Sequence, residues 1–234
     1  MFFFVTDILL CGGVVIKSHE TFKSFIIRFF RLVLGLSLCS VGIVLTLMAD
    51  IGYSPWDAFH DGFARTTGTT IGMASIIVGL AILVIVKFMK EKIGLGTILN
   101  MVLIGFQIDL LLNLNLIPKA DGFLVGVPML IAGLFIIGIG SYFYIGAGFG
   151  AGPRDSLMVV LMRITKKTAG TCRIAVECMA VIVGWLLGGM VGVGTIIAAF
   201  GIGICVQIVF KLFNFDAKAV THQTLADTYI SLSK

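Results

Sequence analysis

The chain reads as an all-α polytopic membrane protein: six transmembrane helices forming two inverted-topology three-helix repeats, each with a broken or re-entrant short helix after its first span. Three observations predict this: an apolar composition, six windows of spanning length, and an internal repeat offset by 98 residues. Of 234 residues, 59% are hydrophobic and only 12% charged, with a mean hydropathy of +1.11. A water-soluble chain of this size would lack the polar surface to cover itself.

Windows able to cross roughly 30 Å of hydrocarbon lie at 30–49, 70–88, 94–114, 123–147, 172–191 and 193–212. Between the first and second of each set of three stands a polar motif, "IGYSPWDAF" at 51–59 and "FGAGPRDSL" at 149–157. Each motif runs on as a short half-apolar helix, predicted over 55–66 and 153–165. The organisation expected is a leader at 1–27, read as interfacial, repeat 1 at 28–116, repeat 2 at 117–214, and a cytoplasmic tail at 215–234.

Of the 17 Lys and Arg residues, this layout leaves only Arg65 and Lys119 on the face away from the termini. The positive-inside rule then puts both termini in the cytoplasm, in a multi-pass protein of the inner (cytoplasmic) membrane. The net charge of +5 is distributed between apolar runs, so no nucleic-acid site is expected and the lipid bilayer is the first partner.

Aligning 31–112 with 129–210 gives 20 identities in 82 positions without a gap. Gly35, Gly42, Gly52, Pro55, Asp57, Thr70 and Gly72 match Gly133, Gly140, Gly150, Pro153, Asp155, Thr168 and Gly170; "GLGTI" at 94–98 matches "GVGTI" at 192–196. A unit of three spans is odd, so the second copy enters the membrane from the opposite side. Inverted repeats of this kind recur in secondary transporters, with sites where the halves meet.

Two readings of the motif stand side by side. Ser54 or Gly152 at the cap, Pro55 or Pro153 at the first position and Asp57 or Asp155 in the first turn make a good helix start, which needs no further function. Alternatively the chain breaks at Gly52 and Gly150 and offers a helix N-terminus and a carboxylate to a water-filled pathway. Arg154, aligned with Trp56, reads as a pathway residue or as a side chain snorkelling to lipid phosphates.

Asp109 and Glu177 lie within apolar runs, where a carboxylate is costly without a partner. Arg173 stands four residues before Glu177, the spacing of an ordinary helical ion pair. Thr97 and Thr195 could offer hydroxyls to a pathway, although the small-residue spacings around them (Gly146 to Gly150, Gly194 to Ala198, Ala199 to Gly203) point to close helix packing. His19, His60 and His222 fall in predicted aqueous segments and receive no role. The five cysteines include no Cys-x-x-Cys and no His at ligand spacing, so neither disulfides nor a metal site is expected. Metalloprotease, nucleophile-elbow, phosphate-loop and dinucleotide motifs are missing, so neither an enzyme nor a cofactor is expected.

The two motifs, together with Glu177 and "LLGGMVGVGTI" at 186–196, resemble the bacterial YczE/YyaS/YitT-like integral membrane proteins over about 28–213. The resemblance implies a bacterial cytoplasmic-membrane protein and carries no activity with it. Its motif positions are Pro55, Asp57, Gly150, Pro153, Asp155, Glu177, Gly192, Gly194 and Thr195. The function expected is a transporter or permease for a small solute, with a channel-like pore or a non-transporting scaffold as alternatives. A homodimer through glycine-rich faces is compatible with the sequence.

Overall fold

The computed structural model describes residues 22–228 apart from Lys92 and Ala226. Most of the leader (1–21) and the last six residues (229–234) therefore lie outside the described residues. Eight α-helices follow in order: α1 (Phe22–Met48), α2 (Pro55–Thr67), α3 (Ile71–Phe88), α4 (Leu95–Asn113), α5 (Phe123–Gly146), α6 (Pro153–Thr165), α7 (Ala169–Leu186) and α8 (Val193–Leu212). All but α2 and α6 are long and apolar enough to cross a membrane. The 13 residues of α2 and of α6 rise only about 20 Å at 1.5 Å each, too little to span. The fifth span stops at Leu186, short of the predicted 191, because Gly188 turns the chain at φ 86°.

Local geometry repeats at the 98-residue offset. Gly52 and Gly150 have φ 116° and 113°, values that disfavour a side chain, and Pro55 and Pro153 then open α2 and α6. Thr70 and Thr168 cap α3 and α7 by accepting from Met73 N and Thr171 N. Gly96 N donates to Phe149 O, and Gly194 N to Ile51 O, both at 2.7 Å.

The first spans form the spine. A Cβ on Gly35 would stand 2.8 Å from Gly140 O, and one on Gly42 would stand 2.7 Å from Gly133 O. As one residue number rises the other falls, so α1 and α5 run antiparallel, and only glycine permits backbones this close. The short helices cross over: α2 packs on α7 and α6 on α3.

Two sets of loops result. Ala120 N donates to Met48 O at 2.8 Å, and Tyr53 N to Met190 O at 3.0 Å, gathering the α1–α2, α4–α5 and α7–α8 connections at one end. At the other end Gln223 N donates to Gly148 O and Leu225 N to Ile93 O, while Arg28 Nε donates to Ala147 O. The start of α1 and the end of the described chain thus share one end. Outward rows such as Ile196, Phe200, Ile204, Ile208 and Leu212 on α8 are exposed; in a chain with six such helices they meet lipid.

Candidate functional site

A cavity of about 240 Å³ lies among α1–α7. Its lining contains seven pairs related by the 98-residue offset: Cys39 and Ile137, Ile43 and Ser141, Trp56 and Arg154, His60 and Met158, Ser75 and Arg173, Val78 and Val176, Gly79 and Glu177. Asn100, Tyr144 and Asp155 add polar atoms.

Pro55 and Pro153 aim the second residue of each short helix at this space. There Arg154 lies with its guanidinium carbon 4.8 Å from the Trp56 ring centre, so the aligned positions of the two motifs stack on one another. Arg154 therefore does not snorkel outward: the start of α6 turns it into the bundle. Its charge acts on Asp57, Asp155 and Glu177.

The two motif carboxylates part company. Asp57 is 3% exposed, accepts from Ser54 Oγ, and lies outside the cavity lining. Asp155 lines the cavity, is exposed, and accepts from Tyr144 Oη at 3.2 Å. Glu177 also lines it, in an ion pair with Arg173 at 2.8 Å.

The other sequence candidates stand outside. Asp109 takes Thr70 Oγ1 at 2.5 Å and Gly72 N at 2.8 Å, stapling the start of α3 to α4. Thr97 accepts from Gly94 N and donates to Ala151 O, and Thr195 accepts from Gly192 N. Both hydroxyls are spent on helix starts.

Sequence reasoning passed over several residues. His60, expected in water, is 2% exposed and lines the cavity, because α2 folds into the bundle. Asp61 is 5% exposed and holds Met190 N and Arg65 Nε, each at 3.0 Å. Arg31, counted only as an orienting charge, is 3% exposed and lies 5.0 Å from the Tyr142 ring centre. Tyr144 accepts from Gly152 N at 3.0 Å while donating to Asp155, so one hydroxyl fixes both the break before α6 and its carboxylate. The available signal was a tyrosine inside an apolar run, whose hydroxyl needs a partner when buried. Tyr144→Phe leaves the Gly152 N–H unpaired and is expected to cost about 1–3 kcal/mol, read as a lower thermal midpoint in detergent.

The two ends of the cavity differ. Of its lining, His60 is buried, whereas Asp155 is exposed and Arg173 has 52% of its side chain exposed. A Cβ on Gly72 would meet Gly105 O at 2.0 Å, so α3 and α4 are shut together; at the aligned Gly170 and Gly203 nothing lies within 4 Å. The Ala199 to Gly203 spacing thus does not pack as expected. The lining is thus exposed toward the end carrying the described termini and buried toward the other, here called the open and the closed end. Among the described residues no group of three His, Cys, Asp or Glu side chains is placed to hold a metal ion.

Residues 26–211 match the model of a family of unknown function, DUF6198. The chain belongs to this family. It is 34% identical over 198 residues to the "uncharacterized membrane protein YczE" of Bacillus subtilis, covering 82% of this chain and 90% of that one. An uncharacterized protein of Haemophilus influenzae is 30% identical over 181 residues, covering 77% and 82%. The "uncharacterized protein YyaS" of Bacillus subtilis is 27% identical over 167 residues, covering 70% and 83%. No solved structure matches significantly. The family and the six apolar helices make this DUF6198 member a membrane protein, as the motifs led one to expect.

Proposed function

We propose that the chain is a permease for a small solute, built from two inverted three-span repeats, with the solute held in the cavity between them. The observation that carries this is the cavity lining itself, seven pairs of aligned positions converging on one space. A site shared by two equivalent halves can be presented to either side by rearranging which half is closed. The antiparallel α1 and α5 supply the axis, and the short helices exchanged between halves supply the moving contacts.

The end holding Lys23, Lys87, Lys90, Arg163, Lys166 and Lys167 is read as cytoplasmic, against Arg65 and Lys119 at the other. The state described then faces inward. The unequal ends favour alternating access over a pore open at both, and binding and release need no catalytic residue.

The reading is tested by placing single cysteines at 57 and 155 in a chain stripped of its native cysteines and labelling with membrane-impermeant thiol reagents. Position 155 is expected to react from the cytoplasmic side at least tenfold faster than position 57 does from either side in the resting state. Solute flux in proteoliposomes is expected to abolish that difference. Equal labelling of both positions from both sides would indicate a pore, and absence of flux for any solute protecting position 155 would leave a scaffold.

A further inference from the structure

The geometry points to a small organic monoanion as the solute, its carboxylate gripped by Arg154 above Trp56. This deepens the permease reading and rests on it.

The contacts each charged group makes within the cavity point to the class. Arg173 and Glu177 satisfy one another at 2.8 Å. Asp155 accepts from the neutral Tyr144 hydroxyl, and Asp57 accepts from Ser54 away from the lining; with Glu177 they act on Arg154 at longer range without contacting it. Arg154 is left: among the described residues no ion pair or hydrogen bond engages its guanidinium, one face of which rests on the Trp56 ring. A planar fork of five N–H donors with an aromatic backing is the group best matched to a carboxylate, which it can bind through two parallel hydrogen bonds.

The remaining wall restricts the solute further. Ile43, Val78, Ile82, Met101 and Ile104 offer an apolar surface to the rest of the molecule. A second negative charge on the solute would approach Asp155 and Glu177, so dianions are disfavoured. An organic cation could pair with Asp155 but would meet the Arg154 charge beside it, and it could reach Glu177 only by displacing Arg173.

The chain has two tryptophans, and Trp185 is 65% exposed on the outer face of α7. A Trp185→Phe protein therefore reports on Trp56 alone. Titration with isobutyrate or pyruvate is expected to change its emission saturably, with the midpoint raised at least tenfold by Arg154→Gln, less by Arg154→Lys, and not by Lys119→Gln at the closed end. Succinate, phosphate and choline are expected to bind at least tenfold more weakly. Size-exclusion profiles confirm that each variant is folded, and the lysine variant keeps the test valid if the glutamine variant is not.

Proteoliposome flux of the same solutes separates the two claims. Carboxylate binding without flux would keep the anion site and end the permease reading. Saturable choline binding and flux with no carboxylate response would keep the permease and overturn the monoanion. A preference for succinate, an unshifted midpoint in both Arg154 variants, or no response to any of these solutes would overturn the proposal.

Discussion

Gly72→Leu is expected to abolish accumulation of folded protein, whereas Gly170→Leu, at the aligned position of the second repeat, is expected to fold as well as the native chain. A side chain on Gly72 begins 2.0 Å from the Gly105 carbonyl oxygen and 2.5 Å from the Asp109 carboxyl carbon. Backbone cannot yield as a side-chain tip can, so α3 must lift off α4 and break both bonds to Asp109. Overpacking of this kind costs about 3 kcal/mol or more. Gly170 meets nothing within 4 Å, and leucine there is expected to change stability by no more than about 0.5 kcal/mol.

The same pair also tests alternating access. If the outward-facing state brings α7 onto α8 as α3 now lies on α4, leucine at 170 obstructs that closure. The folded Gly170→Leu protein should then lose at least tenfold in flux while still binding solute from the open end. Thermal midpoints and flux on one preparation decide the matter: full flux in Gly170→Leu would mean that α7 and α8 never close.

Asp61→Ala is expected to destabilise the protein by about 2–4 kcal/mol, while Arg65→Ala costs less than about 1 kcal/mol. Asp61 is buried on α2 and receives the Met190 N–H in the connection leading to α8. Its loss orphans that donor and leaves a cavity. Arg65 has 59% of its side chain exposed, so water compensates for much of its ion pair. Thermal unfolding of the two variants separates these contributions, and equal losses would mean that the ion pair, not the Met190 bond, holds this end.

Asp61 and Asp109 also explain why the ends differ. Both aspartates belong to the first repeat and act at the closed end; the aligned residues are Val159 and Gln207, which have no carboxylate to offer. The helix crossings differ in the same way. Gly62 meets Gly184 O at 2.5 Å from a built Cβ, drawing α2 tightly onto α7. The aligned Val160 and Val86 pack as two bulky side chains, holding α6 further from α3.

Spans and short helices were legible because their causes are local. Apolar length fixes a span, and proline after a left-handed glycine fixes the start of α2 and α6. The repeat was legible for the same reason, since identical caps recur at identical spacing. The role of each polar residue was not. Asp57 and Asp155 share a motif, yet one is sequestered by Ser54 and the other opens onto the cavity. Thr97 and Thr195 looked available and are used up by helix starts.

The sequence by itself determined a six-span membrane chain, its duplicated motifs and the residues that break the backbone, because composition and turn chemistry act over a few neighbours. Only the tertiary structure decided that Arg154 would stack on Trp56, that His60 would be buried, and that one end would close while the other stayed open. Those outcomes depend on helices that meet across about a hundred residues of chain, where close approach is set by which partner carries glycine and which carries bulk, and no local pattern contains that pairing.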